Sequence, residues 1–393
     1  MMRPTPEPGT GGPRPRIAFF SNQFASRQGH GIARYARHLV SSLAALADAP
    51  HVTPVAAWSD RTPEDLWQLA ERSGLRILPT GRRLTPLLWT ALGRPRLERL
   101  LDCRVDLVHA NSLGYPIATK KPFVVTVHDI GPLTHPEFFT DKPPWIMRKS
   151  LDQAVRQAAA FICVSQATAG ALAAYVREHY GVDLAVRISV VHEGVADPFF
   201  EPTAGFENLP EDLPDEAPFI LAVGKISPRK NLDAVIRALD RIRDQSPHHL
   251  VMVGGDGWDH ETVRRQVGAL GLTDRVHFLG YLSDEALRAL YARAAVFVYP
   301  SLFEGFGLPV LEAMAAGCPV ITSKVSSLPE VAGDAAVLVD PHDVDEIAEA
   351  LATLCLDEGL AKRYSDRGVE RARTFTWDKC AREVRAIYRS VLS

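Results

Sequence analysis

Residues 299–330 read YPSLFEGFGLPVLEAMAAGCPVITSKVSSLPE, and the change of periodicity within them decides the fold. An apolar run that ends near Ser301 predicts a buried strand, and a glycine-bearing loop leads from it into a helix. Pro309 suits the first turn of that helix and Gly317 suits its end, because proline has no amide to satisfy and glycine accepts a left-handed conformation. A strand, a glycine-rich turn and a helix in this order predict one unit of a doubly wound sheet.

The same alternation of apolar runs and helical periodicity continues on both sides of this stretch. Because continuous apolar runs are typical of parallel strands buried on both faces, the predicted fold class is α/β with two Rossmann-like, doubly wound parallel-sheet domains. The strands are predicted at 16–21, 52–57, 107–110, 123–128, 161–165, 188–192, 219–223, 250–253, 276–279, 296–299, 319–322 and 336–339.

A proline- and acid-rich segment without periodicity separates the two halves of the pattern and predicts a linker. Since open parallel sheets bind ligands at the carboxyl ends of their strands, two facing sheets would form a cleft between the domains. The expected organisation is a disordered tail at 1–15, an N-terminal domain at 16–196, the linker at 197–218, a C-terminal domain at 219–375, and a helix at 376–393 that could pack back on the N-terminal domain.

The composition narrows the classes of function. The 393-residue chain is 46% hydrophobic and 23% charged with a formal net charge of −3, so no bulk positive field indicates nucleic-acid binding. No apolar run approaches the roughly 20 residues that span a bilayer, and the N-terminus lacks the apolar segment of a secretory signal. Five scattered cysteines without a C-x-x-C pair indicate reduced thiols in a cytoplasm, and no metal site is predicted.

Two carboxylates bracket the start of the helix in the opening stretch. Glu304 and Glu312 lie eight positions apart, and carboxylates are good acceptors for sugar hydroxyls. We therefore expect one of them to hold a transferred sugar and the other a ribose; solvated surface glutamates are the alternative interpretation. Between them, backbone amides without helical partners predict a phosphate site, and these belong to Gly305, Phe306, Gly307 and Leu308.

A second anion site is predicted in residues 224–231, GKISPRKN, directly after the first strand of the second half. Three cations near a helix N-terminus oppose its dipole, and a bound diphosphate would neutralise them. A solvated basic turn is the alternative interpretation. The predicted binding residues are Gly224, Lys225, Arg229 and Lys230.

Two further segments of the second half could contact a nucleotide. In VGGDGW, residues 253–258, Gly254 would let a nucleotide approach the backbone, although the spacing is not that of a dinucleotide site. In FLGYL, residues 278–282, Tyr281 and Leu282 could hold a base edge by their main chain. A simple core strand is an equally good interpretation of the second segment.

The first half offers two candidate residues at predicted strand and helix ends. Gly31 precedes a helix, so its amide could face a diphosphate across the cleft. His128 ends the strand of residues 123–127, where it is well placed to touch a reacting sugar. A structural histidine is the alternative.

Taken together, these motifs resemble the retaining, nucleotide-sugar-dependent glycosyltransferases of the GT-B fold, called family 4 or group 1. The resemblance runs from about Ile17 to Trp377, and its most specific part is the E-x7-E element from Glu304 to Glu312. HGIARY, VTVHDI, GKISPRKN and TFTW agree in order and spacing. It implies two facing Rossmann-like domains with an interdomain cleft.

The resemblance also implies a chemistry. A hexosyltransferase of this family retains anomeric configuration without a metal or other cofactor, and the departing phosphate oxygen takes the acceptor's proton. Lys225 stands where the family often has arginine, which leaves its role open. The implied roles are the donor sugar for Glu304, the ribose for Glu312, the diphosphate for Arg229, Lys230 and Gly31, and the anomeric carbon for His128.

The implied substrates follow from HDIGPLTHPEFF and GKISPRKN, which most resemble bacterial mannosyl- and rhamnosyltransferases of surface polysaccharide synthesis. The expected donor is GDP-mannose, and the expected acceptor is a hydroxyl of a glycan or lipid-linked molecule. The expected location is cytoplasmic, with peripheral contact at the inner membrane face as an extension. A UDP- or dTDP-sugar transferase with a small-molecule acceptor and an inactive nucleotide-sugar-binding scaffold are the alternatives.

The segment from Arg76 to Arg104 interleaves arginines with apolar residues. One interpretation is a basic, apolar surface that rests on anionic lipid. We favour the other, a solvated helix pair whose leucines are core, because a hydrophobic stripe usually faces the interior. The residues concerned are Leu84, Leu87, Leu88 and Trp89.

Overall fold

The computed structural model of the chain describes residues 14–25, 31–57, 71, 73–79, 81–139, 144–201, 213, 217–255 and 260–393. Within these residues, the strands form two parallel sheets, one of seven strands and one of six. The first contains β1 (Arg16–Phe20), β2 (His51–Ala56), β3 (Arg76–Ile77), β4 (Leu107–Ala110), β5 (Phe123–Val127), β6 (Ala160–Cys163) and β7 (Ile188–Val190). The second contains β8 (Phe219–Val223), β9 (His249–Val253), β10 (Val276–Phe278), β11 (Val296–Tyr299), β12 (Val320–Ser323) and β13 (Val337–Val339).

Both sheets have the doubly wound strand order. The strand order of the first sheet is β3-β2-β1-β4-β5-β6-β7, and that of the second is β10-β9-β8-β11-β12-β13. In each sheet the order in which successive strands are added reverses next to the first strand. In the second sheet β8 lies between β9 and β11. Ligands of such sheets bind where the strand order reverses, which in the second sheet is at the carboxyl ends of β8 and β11. The predicted fold class is confirmed.

Capping residues mark the ends of helices that connect these strands. Ser165 caps α6 by accepting the amide of Thr168, and Gly181 ends that helix with a left-handed φ of 65°. The helices are α1 (Gly31–Ala45), α2 (Gly81–Leu92), α3 (Leu97–Leu100), α4 (Gly131–Thr134), α5 (Pro144–Gln157), α6 (Gln166–Tyr180), α7 (Leu232–Ile242), α8 (His260–Ala269), α9 (Asp284–Arg293), α10 (Leu308–Ala315), α11 (Leu328–Ala332), α12 (Val344–Leu356), α13 (Glu358–Ala372) and α14 (Trp377–Leu392).

The chain is organised as two compact units. The first comprises Met1–Val127, Trp145–Ile162 and Asp378–Ser393, and the second comprises His128–Pro144 and Cys163–Trp377. The domain bounds predicted from the sequence stay a prediction. Most of the predicted tail and linker, residues 1–13, 202–212 and 214–216, lies outside the described residues.

The core of the first unit contains a buried polar network. The imidazole of His109, on β4, has its Nδ1 2.6 Å from the Tyr388 hydroxyl of α14 and its Nε2 2.8 Å from Thr126 Oγ1. The hydroxyl of Tyr35, on α1, lies 3.3 Å from the same threonine oxygen. Because a buried polar group that loses its partner is costly, this network fastens the C-terminal helix to the first sheet.

The core of the second unit is apolar. Helix α7 turns Val235, Ile236 and Leu239 inward, and helix α12 contributes Ile347 and Leu351 to the same cluster. All five side chains are fully buried. The apolar positions of α7 recur at helical spacing, so packing of this face on the second sheet holds the strand ends that carry the candidate site.

The favoured interpretation of the segment around α2 is wrong for two of its leucines. Leu84 and Leu87 are exposed, whereas Trp89 is buried and its indole N–H donates to the carbonyl of Pro95. The buried residues Thr85 and Trp89 lie four positions apart on one side of α2, and Leu84 and Leu87 fall on another. The side chains of Arg82 and Arg83 lie outside the described part. None of the described helices is long and apolar enough to cross a membrane.

The polar network of the first unit predicts a stability change. Replacing Tyr388 by phenylalanine removes the hydroxyl that pairs with His109 Nδ1, and the unpaired buried nitrogen should cost about 1–2 kcal/mol of unfolding free energy. Urea denaturation measures this loss. Tyr281→Phe is the control, because Tyr281 is exposed. Equal unfolding free energies of the two variants would show that the network contributes nothing.

Candidate active site

The turn that follows β8 is shaped by close backbone packing. Gly224 has a φ of 140°, and a Cβ there would lie 2.9 Å from Cε of Lys230. Gly254, after β9, has a φ of 152°, and a Cβ there would lie 2.1 Å from the Gly224 carbonyl oxygen. Both positions therefore require glycine, and the packing brings the Lys230 side chain against the end of β8.

The residues after this turn are held by Asn231. Its left-handed φ of 55° ends the 3-10 turn Pro228–Lys230, and its side-chain amide donates to the carbonyls of Pro300 (3.2 Å) and Pro341 (2.6 Å). The amide of Leu302 donates to the Arg229 carbonyl at 2.9 Å. The turn after β8 and the loop after β11 are thus joined where the strand order of the second sheet reverses.

Glu304 is the centre of the site. Its Oε2 lies 2.6 Å from Nη1 of Arg229, and its Oε1 lies 2.6 Å from Nζ of Lys230. The Tyr299 hydroxyl donates to the same Oε1 at 2.9 Å. Glu304 and Lys230 are 8% and 9% exposed, so the acid and the cations form one nearly buried cluster and not a solvated basic turn. The sequence analysis did not identify Tyr299.

Burial and charge act in opposite directions on the pKa values of this cluster. Burial alone would raise the pKa of Glu304, but Arg229 and Lys230 lower it to about 2. Burial lowers the pKa of Lys230, and the positive charge of Arg229 lowers it further. The negative charge of Glu304 raises it, and the resulting pKa is about 8. Burial and the negative charge of Glu304 raise the pKa of Tyr299. Glu304 is therefore ionised at neutral pH. Lys230 loses its proton at a pH only slightly above neutral.

Hydroxyl groups hold the backbone of the loop that carries Glu304. The Ser327 hydroxyl lies within hydrogen-bond distance of the carbonyls of Glu304 (3.0 Å) and Phe306 (2.8 Å) and can donate to either. Ser165 and Thr168 donate to the carbonyl of Gly305 at 2.7 and 3.1 Å. The loop is therefore held by residues at the start of α6 and by the residue that precedes α11. The sequence analysis missed these residues because isolated serines and threonines carry no recognisable pattern.

The start of α10 presents unsatisfied amides. Pro309 lies in its first turn, and Gly307 precedes it with a φ of 114°. Within the described residues, the amides of residues 305–308 donate no hydrogen bond to the chain. Amides at the positive end of a helix are suited to an anion, so the phosphate site expected here stays a prediction.

His128 lies against the same loop. A Cβ at position 305 would lie 1.9 Å from the His128 carbonyl oxygen, so the two backbones touch. The Thr168 hydroxyl, which lies 3.1 Å from the Gly305 carbonyl oxygen, is at the same distance from the His128 carbonyl oxygen. The imidazole Nδ1 lies 3.1 Å from Oε1 of Glu193. The structure thus brings His128 next to the Glu304 loop within the second unit.

Glu312 is buried on α10. It is 4% exposed, and the Tyr291 hydroxyl donates to its Oε2 at 3.3 Å. The alternative of a solvated helix glutamate is therefore wrong for this residue. It lies on α10, whose first residue, Leu308, is the last of the residues with free amides.

A cavity of about 310 Å³ lies beside the glycine turns. Gly224 and Gly254 line it, together with Phe278 and Gly280. The guanidinium of Arg264, also in the lining, lies 4.3 Å from the centre of the Phe278 ring. A flat ring flanked by a guanidinium and glycine backbone is suited to a heteroaromatic base.

The structure does not place four of the predicted donor-binding residues in this cluster. Tyr281 is 59% exposed, and neither it nor Leu282 lines the cavity, which the preceding residues of the same segment form. The Lys225 side chain is exposed. Gly31 begins α1 in the first unit, and the residues before it lie outside the described part.

Comparison with known proteins identifies the family. The family of glycosyl transferases group 1 matches residues 207–371, and glycosyltransferase family 4 matches residues 29–197. The O-antigen chain mannosyltransferase B of Escherichia coli is 30% identical over 375 residues, which are 91% of this chain and 96% of that protein. The chain therefore belongs to the group 1, or family 4, glycosyltransferases.

A second relative and a solved structure are also similar to the chain. The serotype-specific mannosyltransferase WbdA of Escherichia coli is 31% identical over 271 residues, which are 66% of this chain and 32% of WbdA. The chain thus spans about a third of WbdA. HepE of Anabaena, solved in complex with UDP and glucose, has a TM-score of 0.73 at 19% identity and covers 96% of this chain and 100% of its own. The shared architecture is the GT-B fold.

The contact between His128 and the loop predicts the effect of a single methyl group. In Gly305→Ala the new Cβ collides with a backbone oxygen, so the loop must shift and the unfolding free energy should fall by about 1–3 kcal/mol. Gly255→Ala is the matched control, since a Cβ there meets nothing within 4 Å. Calorimetric melting of both variants measures the difference. A melting temperature of Gly305→Ala equal to that of the control would contradict the described loop geometry.

Proposed function

We propose that the chain transfers a mannosyl group from GDP-mannose to a hydroxyl of a glycan or lipid-linked acceptor, with retention of anomeric configuration and without a metal ion. The buried cluster of Glu304, Arg229 and Lys230 beside the free amides of α10 is the observation that carries this proposal. The mannosyltransferase names of the relatives from Escherichia coli support the choice of sugar. Their O-antigen and serotype descriptions support an acceptor in surface polysaccharide synthesis.

The diphosphate is the part of the donor for which the cluster is best suited. Two cations face one carboxylate, so the group carries a net positive charge while Lys230 is protonated. A diphosphate placed between these cations and the amides of residues 305–308 gains charge-assisted hydrogen bonds from both. Because its negative charge grows as the sugar departs, these contacts favour the transition state over the ground state, without requiring a divalent cation.

The sugar would lie between Glu304 and His128. In the proposed step, the bond from the anomeric carbon to the phosphate oxygen breaks while the acceptor oxygen bonds to the same carbon from the same face. The acceptor's proton passes to the departing phosphate oxygen. The protein then has to position the two substrates and stabilise charge, and a carboxylate is a good acceptor for the sugar hydroxyls.

The nucleoside would occupy the neighbouring cavity, with its base against Phe278 and Arg264. An arginine can donate two parallel hydrogen bonds to the O6 and N7 acceptors of guanine, which uracil and thymine lack. This supports GDP over UDP and dTDP as the leaving group. Glu312 on α10 is the proposed acceptor for the ribose hydroxyls.

The proposed place of reaction is the cytoplasm, where a lipid-linked acceptor would be met at the inner face of the membrane.

The donor is tested with a panel of GDP-, UDP- and dTDP-sugars. GDP should raise the unfolding free energy by about 2.7 kcal/mol at a hundredfold excess over its Kd, since it binds only the folded chain. GDP-mannose should be turned over equally in EDTA and in Mg²⁺, giving the α-anomer. Lys230→Ala should lower kcat/KM by at least about a hundredfold. Turnover of a UDP-sugar alone, a β-linked product, or dependence on Mg²⁺ would each refute the corresponding part of the proposal.

The depressed pKa of Lys230 predicts a pH dependence of donor binding. Below about pH 8 the ammonium is charged and attracts the diphosphate, whereas above it the group becomes neutral. The affinity for GDP-mannose should therefore fall by up to about tenfold per pH unit above that point. Calorimetric titration from about pH 6.5 to about pH 9 measures the Kd. Lys230→Arg should abolish the dependence, because arginine stays charged; an identical pH profile in this variant would assign the titration to another group.

A further inference from the structure

The segment that follows β7 is clamped by backbone contacts on both sides. The amide of Val191 donates to the Cys163 carbonyl at 2.9 Å, and the amide of Val195 donates to the Phe375 carbonyl at 3.1 Å. A Cβ at Gly194 would lie 2.3 Å from the amide nitrogen of Trp377, so the two chains touch. The backbone of the TFTW segment, residues 374–377, thus packs directly against residues 194–195, and Cys163 holds the start of the same segment at Val191.

The clamped segment carries a buried carboxylate, Glu193. It is 4% exposed, and its Oε1 lies 3.1 Å from Nδ1 of His128. Among the described residues, His128 is the hydrogen-bond partner of this carboxylate. An imidazole has two ring nitrogens, so any hydrogen bond between this ring and a substrate must be made by Nε2.

A structural role alone does not explain this pair. Burying a carboxylate and an imidazole carries a desolvation cost, and well-packed apolar residues in such places are often as stable or more so. The pair of Glu330 and His192 provides a comparison within the same unit. The Glu330 carboxylate also accepts the amides of Gln166 and Ala167 at the start of α6, so it caps a helix as well. Glu193 has no comparable backbone task in the described part of the chain.

We propose that Glu193 is a positioning residue for sugar transfer. Its carboxylate accepts the Nδ1–H hydrogen bond of His128, which fixes the rotation of the ring and leaves Nε2 as the nitrogen that meets the donor sugar. With a neutral imidazole the pair carries one net negative charge, which favours the positive charge that develops at the anomeric carbon. This inference rests on the proposed function through the placement of the sugar beside His128.

The first test needs no substrate. Nitrogen-15 NMR of histidine-labelled protein reports which ring nitrogen carries the proton, and the resonance missing in His128→Ala identifies His128. The wild type should show the Nδ1–H form at this residue. In Glu193→Leu, which has no acceptor, the ring should shift towards the Nε2–H form, whereas Glu193→Gln retains an acceptor and keeps the wild-type form. Glu330→Gln is the control and should leave the His128 resonance unchanged.

The second test separates charge from orientation by kinetics, using whichever nucleotide sugar the wild type turns over. Glu193→Gln should lower kcat by about tenfold and Glu193→Leu by about a hundredfold, with the donor KM within about threefold of the wild type. The double variant His128→Ala, Glu193→Leu should be no slower than His128→Ala alone, because the glutamate acts through the ring.

The outcomes distinguish the two proposals. An unchanged His128 ring in Glu193→Leu, a wild-type kcat in that variant, or additive losses in the double variant would overturn the role of Glu193. If Glu193→Leu fails to fold, a kcat of Glu193→Gln within twofold of the wild type overturns it as well. Lack of turnover with GDP-mannose in the wild type refutes the proposed donor instead, and the NMR measurement still decides whether Glu193 sets the ring.

Discussion

The candidate site depends on one buried carboxylate. Glu304 is the shared counter-charge of the two nearly buried cations Arg229 and Lys230, and an unpaired buried charge costs several kcal/mol. The pairing also joins the turn after β8 to the loop after β11, which are the two strand ends where the second sheet reverses its order. The same acid therefore holds the shape of the second unit at this edge and determines where positive charge is available to a ligand.

Much of the fold follows from the sequence because the strands of both sheets are continuous apolar runs. The bounds of β8 and β11 agree with their predicted ends, and these two strands position the site. The sequence does not predict β3, since two residues give no periodicity. Leu84 and Leu87 of α2 were predicted to be buried but are exposed, because a stripe of apolar residues can be wider than the face that a helix buries.

The site was predictable where its residues form a pattern along the chain. Glu304, Arg229 and Lys230 lie in short motifs next to strand ends, and the structure brings them into contact. Tyr299 and Glu193 could not be predicted, since each meets its partner only through tertiary packing. The main chain of Tyr281 and Leu282 was predicted to hold a base edge, and this stays a prediction; the neighbouring cavity is lined by the preceding residues Phe278 and Gly280. Which residues of a strand end line a cavity depends on tertiary packing, which the sequence does not show.

The internal pairing of the cations has a consequence for selectivity among cellular anions. Arg229 and Lys230 already have a negative partner, so an entering anion must share them with Glu304. An anion without sugar hydroxyl groups offers the displaced carboxylate no such hydrogen-bond donors. In a molecule that carries both a diphosphate and neighbouring hydroxyl groups, the diphosphate can pair with the cations. Its hydroxyl groups can then donate hydrogen bonds to the Glu304 carboxylate. If the proposed function holds, this internal pairing would favour a sugar-bearing diphosphate over simple anions.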